Sequence, residues 1–420
     1  MLTRRVTFRL YPNNSQCDQL HWARKMHCDL YNAAIANRRT QYKHFGHSVD
    51  YFEQQNCLPE FKKVWVEYAE LGSQTLQATL KRVDIAYQRF FKGLGKYPKF
   101  KAKRRYAGWT YPNKQSWRVS SNGKNGHLEL RDLGEKIHIR GKARTWGIPT
   151  TCTIFFRNGK WYASITVQCE PTRQTGTGSI GIDLGCKDAI TLSTGDKIPK
   201  PDFIKEGHKK VKVASKRLRR KRTPNRNKKV KASRRWKKEW KRVSKLQRKV
   251  TRQREDWLHK TTSDIVSSNS LIAGEQLNVK KMTGKAKKGK RKLQKAGLNR
   301  SILDVGFGMI GDLLTYKAAE ANGFYVESPT QKLKPTQRCA KCWELTPKTL
   351  ADRVHVCSNP DCNHVEDRDV NAAQVNEIWA RGQELSSLDA ELPSSTAYGS
   401  MKQLGAKKRQ KQRLQRSKSP

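Results

Sequence analysis

The chain has 420 residues, more than one ordinary core accounts for, and its 87 Lys+Arg against 36 Asp+Glu leave a formal charge of +51. That excess is far beyond what solubility needs and calls for a polyanionic partner, which nucleic acid supplies. No apolar run approaches a bilayer span, and the opening "MLTRRVTFRLYP" has no apolar signal core of secretory type, so an intracellular protein is expected.

Residues 3–10, "TRRVTFRL", alternate charged and apolar positions with the period of a half-buried strand, which Pro12 and Asn13 end. Helical patterning follows from about Ser15, where Leu20, Ala23, Cys28, Leu30, Tyr31 and Ala34 recur at roughly helical spacing. A second amphipathic helix is expected over 73–91. Leu76, Leu80, Val83, Tyr87, Phe90 and Phe91 form its apolar side; Gln77, Lys81, Arg82 and Arg89 form the other. On charge alone that polar face fits solvent as well as it fits a ligand. From about Tyr97 to Val167 the texture is β, and "TCTIFFRNGKWYASITV" is a hairpin around an Asn-Gly turn. "PTRQTGTG" (171–178) reads as a linker, with a domain boundary near 175.

Composition then changes. "SIGIDLGCKDAITLSTGDK" (179–197) is a hydrophobic strand ending in Asp183, a glycine, and a second strand closed by a Thr-Gly-Asp turn. Between Lys209 and Arg254 there are 24 Lys/Arg and one acid, Glu239. "RTPNRN" (222–227) divides this run into two helical arms. Trp236, Trp240, Val243, Leu246, Val250 and Trp257 recur at steps close to three and four, so a helical hairpin over 205–262 is expected, its apolar seam inward and its Lys and Arg outward. Two dozen like charges repel strongly without an anion, which favours phosphate contact from residues such as Arg219, Arg220, Arg234, Arg235 and Lys238. "SLIAGEQLNV" (270–279) is another apolar strand that ends in an acid, Glu275. "KAKKGKRKLQK" (285–295) reads as a flexible basic strip, and 383–420 as a disordered basic tail.

Six of the ten cysteines (Cys17, Cys28, Cys57, Cys152, Cys169, Cys186) are scattered, as ordinary thiols in a reducing compartment are. The other four form two close pairs, Cys339 with Cys342 and Cys357 with Cys362, all within 24 residues. That spacing is the mark of a tetrahedral four-thiolate zinc site, one Zn²⁺ that is structural because no coordination position stays open. Trp343 is irregular there, since a glycine often follows such a knuckle.

The stretch "HVEDRDVNAA" (364–373) sets Glu366, Asp367 and Asp369 at a helix start. Taken alone, an acid there is an N-cap, and an acid at a strand end is surface charge. Taken together, Asp183, Glu275 and one acid of this stretch come from strand, strand and helix. Two divalent ions about 3.5–4 Å apart require carboxylates converging from separate elements in that way, and such a pair hydrolyses phosphodiesters. Spacing leaves Asp367 and Asp369 tied for the third position.

"GIDLG", "AGEQLNVKKM", the cysteine pairs and "DRDVNAA" resemble the three RuvC motifs and inserted zinc ribbon of the transposon-encoded TnpB family, whose layout the miniature type V CRISPR effectors share. "FRLYPN", "DLYNAA" and "LQATLKRVDIAYQRFF" are also similar to that family, and the likeness runs over roughly residues 1–380. The resemblance implies an α/β multidomain protein. Residues 1–12 and 95–172 would form a β-barrel-like wedge domain and 13–94 an inserted helical recognition lobe. Residues 173–338 and 364–382 would form a RuvC (RNase H-like) nuclease domain, with the zinc ribbon at 339–363. It selects Asp369 over Asp367, so that Asp183, Glu275 and Asp369 would hold two catalytic Mg²⁺. It also matches Gln77 to a position used near a target-adjacent motif.

The implied function is RNA-guided cleavage of double-stranded DNA. One protein would carry one transposon-derived guide RNA, in a prokaryotic cytoplasm and on the nucleoid when DNA is bound. The basic hairpin and the N-terminal helices, with Lys81 and Arg82, would hold RNA and the RNA–DNA heteroduplex. The alternatives are a compact type V CRISPR effector, a guide-dependent DNA binder with little cleavage, and a zinc-ribbon RNA-binding protein whose carboxylates are structural.

Overall fold

The computed structural model describes residues 2–225, 230–284, 291–349 and 351–386, and the chain divides between Pro171 and Thr172 into two compact units. The first opens with β1 (Leu2–Tyr11), whose alternation buries Phe8 and Leu10. Helices α1 (Asn14–Phe45), α2 (Tyr51–Asn56), α3 (Leu58–Val64) and α4 (Ser73–Phe91) follow. Asn13 and Gln16 start α1 as a reciprocal cap: the Gln16 N–H donates to Asn13 Oδ1 at 2.8 Å, and the Asn13 N–H to Gln16 Oε1 at 3.0 Å. Six strands come next: β2 (Gly108–Tyr111), β3 (Trp117–Ser120), β4 (Gly126–Leu130), β5 (Glu135–Arg140), β6 (Ile148–Arg157) and β7 (Lys160–Cys169).

With β1 these make one antiparallel sheet of seven strands in the order β2-β6-β7-β1-β5-β4-β3. The β6–β7 hairpin turns on Asn158 and Gly159, at φ 57° and 75°, the positive values that an Asn-Gly turn adopts. Helices and sheet share a core in which Leu20, Leu76 and Leu80 pack with Trp109, Ile154 and Ala163. The buried His27 ring stacks on Trp109 with centroids 5.4 Å apart, and burial pushes its pKa down to about 3.

The second unit contains β8 (Gly178–Asp183), β9 (Asp188–Leu192), β10 (Lys197–Pro199), α5 (Asp202–Arg219), α6 (Arg234–Ser268) and β11 (Asn269–Glu275). It continues with α7 (Val279–Met282), α8 (Lys292–Val305), α9 (Phe307–Glu320), β12 (Phe324–Ser328) and α10 (Thr330–Leu333), and ends with β13 (Val354–Val356), β14 (Val365–Asp367) and α11 (Arg368–Ser386). Its sheet has the order β10-β9-β8-β11-β12: an antiparallel meander of three strands, then β11 and β12 running parallel to β8. One face, with Ile180, Ile182 and Ile272, packs on residues of α6 and α9 such as Val266, Ile310 and Leu314. The other face is covered by α11, where Leu271 and Ala273 meet Ala380.

Three expectations change. The expected seam of the basic hairpin is only partly buried: Val243 and Val250 are covered, but Trp240 is 51% exposed. Of the basic strip 285–295, residues 285–290 lie outside the described residues, whereas Lys292 already opens α8, so the end of the strip is helical. The expected tail begins inside α11, which runs to Ser386, and 387–420 lie outside the described residues. Among the described residues no helix is long and apolar enough to cross a membrane.

Candidate metal centres

β8 and β11 run side by side with Ala273 opposite Gly181. Side chains alternate along a strand, so two residues further on Asp183 and Glu275 leave the same face at the C-terminal ends of neighbouring strands. That face is the one α11 covers. A Cβ on Gly181 would lie 1.8 Å from the Ala373 carbonyl oxygen, so only glycine admits the helix this close. The first turn of α11, which carries Asp369, is thereby brought to the strand ends.

Burial pushes the Asp183 carboxyl well above the usual carboxylate range, and the charges of Glu275 and Asp369 push it further. The Arg368 guanidinium and the Leu184 N–H act in the opposite sense. Burial alone lifts Glu275 to about 7. Arg368 donates to Asp369 Oδ1 from Nη2 at 2.7 Å and from Nε at 2.9 Å, which fixes that carboxylate.

Asp367 has a different task. Its Oδ1 accepts the N–H groups of Asp369 at 3.0 Å and Val370 at 3.2 Å, and its Oδ2 accepts Lys197 Nζ at 2.6 Å. It is the cap of α11. Burial opposes its ionisation, yet the Lys197 ammonium and the two N–H donors outweigh burial and hold the carboxyl below its ordinary range. Glu366, one residue earlier, pairs with His355 across β13 and β14.

Buried amides that the sequence did not single out hold α11 in place. Asn371 donates from Nδ2 to the Arg338 carbonyl at 2.7 Å and accepts the Ala340 N–H at 3.0 Å, tying the helix to the first cysteine knuckle. Asn376 donates to the Ile182 carbonyl at 3.2 Å and accepts the Ser328 hydroxyl at 2.7 Å, tying it to β8 and β12. Both are fully buried, and polar residues set among the apolar positions of a helix are the signal that would have found them.

The thiols lie at the other end of that connection. Cys339 and Cys362 have their sulfurs 3.7 Å apart, Cys342 and Cys357 3.4 Å, and all four lie within 4.8 Å of one another. A tetrahedron with Zn–S bonds of about 2.3 Å has sulfurs about 3.8 Å apart, so this set fits a zinc ion. The Glu344 N–H draws the Cys342 thiol down to about 7, toward the ligating thiolate. Trp343 and Asn363, each directly after the second cysteine of a pair, stand at φ 67° and 48°. Trp343 therefore adopts the left-handed turn that a glycine usually takes. The hairpin β13–β14 runs on to Asp367, four residues past the expected ribbon edge at 363, and feeds straight into α11.

Among the described residues the cysteines are the one group whose ligand atoms approach this closely; the three carboxylates are spread wider. Oxygen donors on a wider frame suit hard divalent cations that keep water in their coordination shell.

Of the residues expected to touch nucleic acid, Arg219, Arg220, Arg234, Arg235 and Lys238 are exposed at the ends of α5 and α6 that adjoin the hairpin loop. In the first unit Gln77 is half-buried on α4, and Lys81 is exposed, pairing with Asp84 at 3.2 Å. Arg82 is turned inward, donating to Thr110 Oγ1 at 3.0 Å and to the Gly108 carbonyl.

Two family models match stretches of the chain that carry this sheet and ribbon. The OrfB_IS605 model, described as "Probable transposase", covers residues 162–286, and the Cas12f1-like TNB domain covers residues 307–375. The chain carries both domains, which bears out the resemblance read from its motifs. Its relatives include a "Putative RNA-guided DNA endonuclease" of Streptomyces pristinaespiralis, 29% identical over 88% of this chain and 88% of that protein. Another is the "Putative RNA-guided DNA endonuclease InsQ" of Escherichia coli (strain K12), 27% identical over 80% of this chain and 82% of that one. Among solved structures, the protein of the Cas12f1-sgRNA-target DNA complex shares the fold, with a TM-score of 0.55 over 87% of this chain and 83% of that chain at 12% identity.

Proposed function

We propose that this chain is an RNA-guided DNA endonuclease that cuts double-stranded DNA, with the five-stranded sheet and α11 serving as its RuvC, RNase H-like nuclease domain. One observation carries the reading: three carboxylates distant in sequence gather at the ends of parallel strands β8 and β11 under α11, in a chain of net charge +51. Three carboxylates brought together in a strongly basic protein serve cations better than they serve solubility.

Asp183, Glu275 and Asp369 would hold two Mg²⁺, which when bound neutralise charge on the scissile phosphate and lower the pKa of an attacking water. The chain's own groups prepare that site. Asp183 and Glu275 are rigid because they sit on strands, and Arg368 fixes the Asp369 carboxylate. Asp367 caps the helix that presents Asp369. Zinc on the four thiolates would be structural, stiffening the ribbon from which β14 leads into α11. Exposed Arg and Lys of α5 and α6 would hold nucleic-acid backbone, while base pairing to a guide RNA selects the target. The guide would derive from the transposon end, one per protein; a short motif beside the target would be read near Gln77; and the setting would be the cytoplasm, on the nucleoid when DNA is bound. The shared fold with Cas12f1 supports a compact CRISPR effector as second reading, which a repeat array beside the coding sequence would decide.

The test is to purify the chain with its RNA, retarget that RNA, and assay matched duplex in Mg²⁺. Wild type is expected to cut, and Asp183→Ala to bind the duplex without cutting it. A wild-type complex that binds matched duplex and never cleaves overturns the nuclease reading; absence of copurifying RNA overturns the guide.

A further inference from the structure

The tip of the basic hairpin carries two tryptophans for which neither the core nor the charge run has a use. Gly207 of α5 packs against Val250 of α6 so closely that a Cβ there would lie 2.4 Å from Val250 Cγ2. The helices run antiparallel, so this contact fixes their register: Ala214 falls level with Val243, and both are buried. Continuing outward, Trp240 falls level with Arg217, and Trp236 lies beyond Arg219, where α5 ends. Among the described residues neither tryptophan belongs to a hydrophobic core cluster. Trp240 is 51% exposed, and the two indoles stand parallel, with centroids 6.3 Å apart and planes 14° from each other. Arg235 and Lys238 on the same helix and Arg219 and Arg220 at the end of α5 are exposed close by in sequence and register.

Phosphate contact alone asks for cations and leaves an exposed indole unused. An exposed aromatic face in a strongly basic stretch is instead the arrangement that stacks an unpaired base while its flanking phosphates are neutralised. We propose that Trp240, backed by Trp236, is a stacking platform for an unpaired base of single-stranded RNA. The inference rests on the guide-RNA reading for the choice of RNA over DNA: a guide stays bound throughout, and so covers an indole that the free chain leaves in water.

The test uses full-length Asp183→Ala protein, in which cleavage plays no part, and measures binding of single-stranded oligouridylate and of the copurifying RNA against salt. Trp240→Ala is expected to weaken RNA binding about 5- to 100-fold with an unchanged salt slope, since stacking is lost and no phosphate contact is. Trp240→Phe keeps an aromatic face and is expected to restore most of the affinity, which separates lost stacking from misfolding. Ultraviolet crosslinking of wild type is expected to place a base on Trp240. Unchanged RNA affinity in Trp240→Ala overturns the proposal. So does a loss confined to single-stranded DNA of matching length, or a change in sedimentation without a change in RNA binding, which would mark a protein interface. The nuclease reading stands or falls separately, on cleavage by the wild-type complex.

Discussion

Cys339, Cys342, Cys357 and Cys362 come from one short stretch, and their sulfurs lie within 4.8 Å of one another. Asp183, Glu275 and Asp369 come from three elements separated by most of the unit, and sheet register and helix docking alone bring them together. The first group closes on itself: four soft ligands fill a tetrahedron and leave nothing for a substrate. The second is wider, oxygen-only and set at the open ends of strands, so ions held there would keep positions for water and phosphate. Local spacing builds the thiol group, and long-range topology builds the carboxylate group, for which we propose a catalytic role. Asn371 joins the two, with one end on the ribbon backbone and its helix carrying Asp369 two residues earlier.

The largest effect expected separates the two groups by function. Asp183→Ala should lower duplex cleavage by at least about 10³-fold while zinc content and duplex binding stay at wild-type levels, because removing one carboxylate would dismantle the proposed catalytic ion site, worth several kcal/mol of barrier. Cleavage that survives would mean that the carboxylate group is structural too. The converse change, Cys357→Ser, should lose the zinc by metal analysis and expose the ribbon to proteolysis, since structural zinc supplies folding energy outright. Cleavage should fall with it, through the loosened start of α11.

Exchange kinetics sharpen the contrast. Brief exposure to EDTA should stop cleavage and added Mg²⁺ should restore it at once, with protein-bound zinc unchanged throughout. Simultaneous loss of both ions would say that the two sites are equally open.

The connection between the sites is tested by Asn371→Ala, which strands the Ala340 N–H and the Arg338 carbonyl. It should cost about 1–3 kcal/mol in thermal unfolding and slow cleavage with duplex affinity unchanged. Stability loss with normal cleavage would make the amide a packing element only.

The legibility of the sequence divides along the same line. The thiol site was readable because two close pairs and a loop lie within the reach of spacing, and the β6–β7 hairpin because its Asn-Gly turn is local. The helix at 73–91 was readable from its apolar period. Strand ends in acids were visible as well, and their gathering was inferred from chemistry. Spacing left Asp367 and Asp369 tied, and the resemblance alone chose Asp369, because strand β14 ends at Asp367, α11 begins at Arg368, and nothing in "EDRDV" marks where pleat gives way to helix. The observed hydrogen bonds make Asp367 the cap and leave Asp369 held by Arg368. Trp240 was misassigned to the seam for a related reason: periodicity shows which side of α6 is apolar, but not where α5 stops covering it. Asn371 and Asn376 went unnoticed because their partners are backbone atoms and a serine far away in sequence.

The smallest effect expected is that of Asp367→Ala, a lost helix cap worth about 1 kcal/mol, with cleavage retained within a few-fold. Beside it stands the comparison that tests the assembly of the site most directly: the rate at which RNA-loaded Asp369→Asn and Asp367→Asn proteins cut a matched duplex in Mg²⁺. Asp369→Asn is expected to abolish cleavage while Asp367→Asn cuts at close to the wild-type rate. The opposite order, or equal loss in both, would contradict a carboxylate centre formed by Asp183, Glu275 and Asp369.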